Sequence, residues 1–233
     1  MSSHVEILHS PIIASAASTA ADQVAAPVHV QEEHSRFAYA QVERLVHQLF
    51  FSASIKLPRQ VVFSAIDEEV DVGGICTNVA ETLAARVPGS VGVIAANAWS
   101  RDVRSCSFGS RRTEALRDVS EKVAPNLWSV AGPVFWGKSP SSGSPAWVRE
   151  RLSELRGEFD YSIIHAPAAS LYSGTALLGQ ASDGIVLIIE ANYTRRATAL
   201  KTKEMLHAAN VRLLGTILSG RTFPIPEGVY KRL

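Results

Sequence analysis

Apolar and polar positions follow two rhythms along this chain. In "SRFAYAQVERLVHQLFF" the apolar residues Phe37, Val42, Leu45, Val46, Leu49 and Phe50 recur at helical spacing, and Ser35 is placed to cap the helix. After Pro58 the rhythm changes. "QVVFSAI", "SVGVIAAN", "NLWSVAG", "DYSIIHAPA", "DGIVLIIEA" and "VRLLGTILSG" are short continuous apolar runs, the mark of strands buried on both faces. Between them lie amphipathic stretches that predict helices: "GICTNVAETLAARV", ended by Pro88-Gly89, then "TEALRDVSEKVA", "AWVRERLSELRGEF", "LYSGTALLGQA" and "RRATALKTKEMLHAAN". "GPVFWGKSPSSGSP" is dense in Gly, Pro and Ser and reads as a loop.

Buried strands alternating with helices predict an α/β fold, a mostly parallel sheet with helices on both faces and right-handed crossovers. Residues 1 to 34 are rich in Ala, Ser, Val and His without steady periodicity, so they are expected to form a flexible tail ahead of one domain over 35–233. No internal repeat is visible.

Composition narrows the function classes. Hydrophobic residues are 46% and charged residues 19%, which suits a folded domain rather than a disordered chain. The net charge of +1 gives no global field to draw in nucleic acid or an anionic membrane, so no nucleic-acid partner is expected. No run approaches the ~20 apolar residues of a membrane span. The apolar N-terminal patches lack a basic start, so no signal peptide is expected. Cys76 and Cys106 belong to no CxxC or Cys/His cluster, so neither a zinc site nor a disulfide framework is predicted, and two thiols fit a reducing cytosol.

In sheets of this kind ligands bind at the carboxyl ends of the strands. The first strand runs into "DEEVDVGG" and then a helix, which is the layout of a phosphate-binding loop. That turn carries Glu68, Glu69 and Asp71 and no lysine. A carboxylate within ~4 Å of a phosphate costs roughly 1–4 kcal/mol at effective dielectrics of 80 to 20. A helix N-terminus returns only ~0.3–1 kcal/mol. On these magnitudes phosphate is disfavoured here.

Residues 35–233 resemble the cytoplasmic domain of the bacterial tyrosine kinases of capsule and exopolysaccharide synthesis, within the deviant Walker A class of P-loop NTPases. The resemblance rests on the C-terminal third, from "EFDYSIIHAPA" through the Asp-Gly before the next strand to the final "PIPE", and on the helix "FAYAQVERLVHQLFF". It implies a P-loop NTPase-like fold. It also identifies where nucleotide residues would fall. Counting from Ser64-Ala65 puts Asp71 at the family's lysine position; counting back from Asn78 puts Val72 there, so the loop carries one extra residue. Gly73 and Gly74 complete this degenerate Walker A stretch. Ala95 and Asn97 stand where the family places two aspartates for Mg2+ and phosphoryl transfer, and His165 stands at the Walker B aspartate. The base-side asparagine of many relatives falls at Ser219, and the tyrosine-rich tail is reduced to Tyr230.

Phosphoryl transfer works by positioning and charge stabilisation. A family member without these groups is expected to be a pseudoenzyme with no catalytic residue, no metal and no cofactor, acting in polysaccharide polymerisation or export through protein contacts. The partners implied are a membrane chain-length regulator or an active kinase paralogue, with self-association as a further expectation. The location implied is the cytoplasm, with recruitment to the inner face of the membrane. Two alternatives remain open: an active ATP-dependent protein tyrosine kinase or ATPase with a rebuilt site, which alone would bring in ATP and Mg2+, and a partitioning-type ATPase relative.

Each candidate also has a plainer reading. Gly73-Gly74 serves as a tight strand-to-helix turn. His165 lacks the partners a metal or base site needs. Cys76 falls on a buried helix turn as a small hydrophobe. Ser170 and Ser173 lie in no nucleophile elbow. Arg195-Arg196 lies near the nucleotide and the subunit interface in the family, or is surface charge. Phe135, Trp136 and Trp147, in the aromatic loop, are more often core anchors in such a setting, yet their density makes this the best candidate contact surface.

Overall fold

A computed structural model describes residues 8–12, 28–52, 57–97, 115–137 and 144–220. Cys106, Tyr230 and the "PIPE" segment lie outside the described residues. The elements in chain order are β1 (Leu8–Ile12), α1 (Val28–Phe50), β2 (Gln60–Ala65), α2 (Val72–Ala84), β3 (Val91–Ala95), β4 (Glu121–Ala124), β5 (Leu127–Val130), α3 (Gly132–Trp136), α4 (Pro145–Glu158), β6 (Tyr161–His165), α5 (Ser173–Ala181), β7 (Gly184–Glu190), α6 (Arg196–Ala208) and β8 (Leu213–Ser219). The strands form one sheet in the order β1-β8-β7-β2-β6-β3-β5-β4. Every described pairing is parallel except β4 with β5.

Alternating residues of each central strand feed opposite cores, which is why the strands read as unbroken apolar runs. Val61, Phe63 and Ala65 of β2, Ile163 of β6, and Val186 and Ile188 of β7 pack under α1 and α2. Val62, Ile164, Ile185 and Leu187 face the other way, under α3 to α6. At the amino ends of the strands two aspartates clasp the sheet. Asp183 accepts the N–H groups of Arg59 (2.8 Å) and Gln60 (2.9 Å) and pairs with Arg156 (3.0 Å). Asp160 accepts from the Ser90 backbone and hydroxyl, which holds its carboxyl below the usual range. These are the aspartates of the "FDY" and Asp-Gly motifs, so both motifs have a structural explanation. Gly184 follows Asp183 with φ 151°, and a side chain there would meet the Arg212 carbonyl at 2.6 Å.

Three sequence expectations are corrected. The tail expected over 1–34 contains β1, hydrogen-bonded to β8 at the sheet edge, and α1 begins at Val28 rather than at Ser35. Ser35 looked like a cap, but no residue between Pro27 and Ser35 breaks a helix, and "QEE" favours one. The helix expected over 113–124 is not formed across its described part. Residues 116–119 are turns and 121–124 are strand β4. Pro125 disfavours helix at Ala124, and the Glu158 carboxylate instead takes the N–H groups of Leu116 and Arg117. Asn126 then closes the β4–β5 hairpin and donates to the carbonyls of Ala84, Val87 and Gly89. The third correction is the aromatic loop. Phe135 and Trp136 sit on the short helix α3 at 0% and 3% exposure, against a half-buried Trp147, so they are core and not an exposed surface.

Candidate functional site

The turn between β2 and α2 sits at the carboxyl end of the sheet, beside the ends of β6 and β7. Register places Phe63 and Ala95 on either side of His165. The structure therefore brings Asp71, Gly73, Gly74, Ala95 and His165 together. A methyl group placed on Gly73 would lie 3.4 Å from Asp71 Oδ1 and 3.7 Å from the His165 ring. Val72 turns away into the α2 core at 4% exposure, and Asn97 is exposed on the turn after β3.

Asp71 decides the chemistry of this turn. It is the N-cap of α2, and its Oδ1 accepts the N–H of Gly74 at 2.9 Å. Gly74 permits this, because a side chain there would overlap the Asp71 carboxylate. The N–H of Val72 goes to the Val70 carbonyl (2.8 Å) and that of Ile75 to the Asp71 carbonyl (3.4 Å). In a phosphate loop those donors would face the ligand. Here the chain supplies its own anion to the helix start, where a carboxylate is favoured by the helix dipole.

The surrounding loops reinforce the negative charge. Glu68 accepts from the Tyr172 hydroxyl (2.8 Å), which raises that phenol's pKa, and the Thr194 hydroxyl donates to Asp67 (2.8 Å) while accepting the Glu190 N–H (3.1 Å). Tyr193 is also raised, chiefly by the charge of Glu69. No lysine or arginine occurs in the sequence between Arg59 and Arg86. Tyr172 and Thr194 were not singled out from the sequence, since their partners lie 104 and 127 residues away. Asp71 carried a readable signal, an aspartate directly before a helical pattern.

His165 closes the floor. Burial pushes its pKa down to about 4, and the Asp71 charge opposes that only in part. The ring is therefore neutral at pH 7. Among the described residues no group of three or more His, Cys, Asp or Glu side chains is arranged to hold a metal ion. Cys76 is buried one turn into α2, and burial drives its thiol pKa well upward, so it is core rather than nucleophile. Ser170 donates to the Ile66 carbonyl (2.6 Å) and Ser64 to the Pro167 carbonyl (2.6 Å), which tie the β2 and β6 loops together.

The His165 shift has a consequence for stability. The unfolded ring takes a proton near pH 6.5 and the folded ring only near 4, so the unfolded state gains protons first as pH falls. Stability is expected to be full above 6.5 and to drop by on the order of 1–2 kcal/mol between pH 7 and 5 from this group. Urea denaturation at both pH values checks this, and His165→Gln should flatten the difference.

The parallel sheet, its two helical layers and a strand-turn-helix at its carboxyl edge make an α/β fold similar to that of P-loop NTPases. Comparison of folds agrees. A ParA family ATPase from Chlorobium tepidum superposes with a TM-score of 0.50 at 11% identity, over 69% of this chain and 72% of that one. The kinase domain of the Escherichia coli tyrosine kinase ETK gives 0.61 at 18% identity over 82% and 78%, and the chimerical protein CapA2B2 gives 0.65 at 14% over 84% and 89%. In sequence, the chain is 32% identical over 78 residues to the tyrosine-protein kinase YwqD of Bacillus subtilis, covering 34% of this chain and 33% of that protein. It is 31% identical over 105 residues to the tyrosine-protein kinase CpsD of Streptococcus agalactiae, covering 43% and 44%. These matches span less than half the length of the curated relatives. No family model matches the chain. In fold, and in sequence over less than half of its length, the chain is thus similar to the bacterial tyrosine-kinase family.

Proposed function

We propose that this chain is a catalytically degenerate member of that family, acting as a regulatory or scaffolding partner in exopolysaccharide polymerisation or export. The observation that carries the reading is Asp71, whose carboxylate occupies the helix start where a phosphate would be held. The missing lysine, the apolar or neutral residues Ala95, Asn97 and His165 at acidic positions, and the four carboxylates of the loop support it. Asp71, Val72, Gly73 and Gly74 are the remnant of the phosphate loop in this reading, and neither ATP nor Mg2+ is a resident cofactor. The partner is the cytoplasmic end of a membrane chain-length regulator or an active kinase paralogue, which would bring the chain from the cytoplasm to the membrane face. No helix among the described residues is long and apolar enough to cross a membrane, so such recruitment would act on a surface.

Incubation with ATP and Mg2+ followed by mass spectrometry tests the catalytic half of the proposal. No phosphate on Tyr230, Tyr172 or Tyr193, and no ATP turnover above the buffer rate, is expected. Stoichiometric phosphotyrosine would overturn it.

A further inference from the structure

The surface of α6 has no role in the site, and its charge is unusual for a chain of net charge +1. Only Thr202 and Leu206 of its thirteen residues are fully buried. The rest of the helix shows Arg196, Lys201 and Lys203 to solvent, with Arg195 at its N-cap and Arg212 just beyond its end. Glu204 is the one acidic residue of the helix. None of these five cations makes a side-chain hydrogen bond or ion pair with another described residue, whereas Arg86, Arg151 and Arg156 all pair with carboxylates. Two apolar side chains stand among them: Leu200 is 47% and Met205 37% exposed. Helical spacing puts Arg196 and Lys203 one turn either side of Leu200, and Lys201 one turn before Met205. Gln180 of α5 donates to the Ala209 carbonyl, so α5 flanks α6 on one side. On the other side the sheet runs on only to β8 and the edge strand β1.

We propose that the outer face of α6 is a docking surface for an anionic phospholipid membrane, with Arg196, Lys201 and Lys203 meeting headgroup phosphates and Leu200 and Met205 entering the interface. Clustered cations beside a few apolar side chains are what such a surface binds, each cation contributing separately and with strong salt dependence. The acidic rim at Asp67 to Asp71 adjoins the N-terminal end of α6 through the Thr194 contact. Like charge keeps that rim away from the bilayer, so the helix would meet the membrane along its side with the loops left in water. This is independent of the proposed loss of phosphotransfer: an active enzyme could carry the same helix, and a pseudoenzyme could lack membrane affinity.

The test is sedimentation of the full chain with phosphatidylcholine vesicles and with vesicles that also contain phosphatidylglycerol. Binding is expected only to the latter, and it should fall as salt rises. Arg196→Glu, Lys201→Glu and Lys203→Glu together should weaken it by roughly a hundredfold or more, at about fivefold per cation. Leu200→Ala with Met205→Ala should weaken it severalfold. The same number of reversals at the exposed Arg44, Lys122 and Arg149 should leave most of it intact. Circular dichroism confirms folding, and Arg196→Gln, Lys201→Gln and Lys203→Gln serve if the reversal misfolds. Absence of vesicle binding, equal binding to neutral vesicles, or equal loss with the control triple would overturn the proposal. So would binding to polyglutamate without binding to vesicles, which would make the face a site for an acidic protein segment.

Discussion

Rebuilding the nucleotide turn should create a Mg2+-ATP site where the proposed function expects none in the parent. The variant replaces the acidic turn with Gly-Glu-Gly-Lys-Thr, one residue shorter, and carries Ala95→Asp, Asn97→Asp and His165→Asp. The turn already lies between a strand end and a helix start, beside the carboxyl end of β6, which is flanked by β2 and β3. Removing Asp71 frees the Gly74 N–H, and removing the loop carboxylates lifts a repulsion of roughly 1–4 kcal/mol for each one close to phosphate. The new lysine adds attraction of similar size. An affinity gain of roughly a hundredfold or more is expected on these magnitudes. Turnover should stay poor, because catalytic groups must be held to about 0.5 Å and the surrounding side chains are not arranged for that. His165→Asp alone should give no binding and should destabilise the fold, since it sets a second carboxylate beside Asp71 on a half-buried floor. Calorimetric titration of both variants decides this. A folded, fully rebuilt protein that ignores ATP would mean that the pocket itself has closed.

The largest stability effect is expected at Phe135, in the segment that reads as an exposed loop. Its ring is fully buried and meets Trp136 edge-on at 4.8 Å and Trp147 edge-on at 6.0 Å, while the two tryptophans stack at 5.4 Å. Arg151 locks the segment by donating to the Phe135 carbonyl at 2.9 Å. Phe135→Ala should cost about 3–5 kcal/mol, the usual loss for a large aromatic removed from a core. Urea denaturation measures it. A loss under about 1 kcal/mol would return these aromatics to the role of a contact surface.

Most of the sheet was legible because its strands are buried on both faces. "VVFSAI", "YSIIH" and "GIVLIIE" cannot alternate with polar residues when both sides are core. Gly73-Gly74 suggested the strand-to-helix turn, but both lie in the first turn of α2, and the turn itself is the acidic segment before Asp71. What escaped the sequence depended on partners far away in the chain. The segment before Pro125 has helical composition, yet Glu158 and the contacts of Asn126 draw it into a turn and a hairpin. Gly and Pro around Phe135 and Trp136 signalled a loop, and only the tertiary fold shows that the loop folds inward. At the site, the excess of carboxylates and the lack of any lysine or arginine between Arg59 and Arg86 could be read directly. That Asp71 caps the helix against Gly74 is a geometric fact, and so is the fastening of the acidic loop by Tyr172 and Thr194.

The central claim is that the Asp71 turn no longer takes a nucleotide phosphate. Calorimetric titration of the unmodified chain with ATP in the presence of Mg2+ tests it most directly. The expected result is no binding tighter than the high micromolar range, with the rebuilt variant as the positive comparison. Saturable binding by the unmodified chain at low micromolar ATP, weakened by a substitution at Gly73, would contradict it.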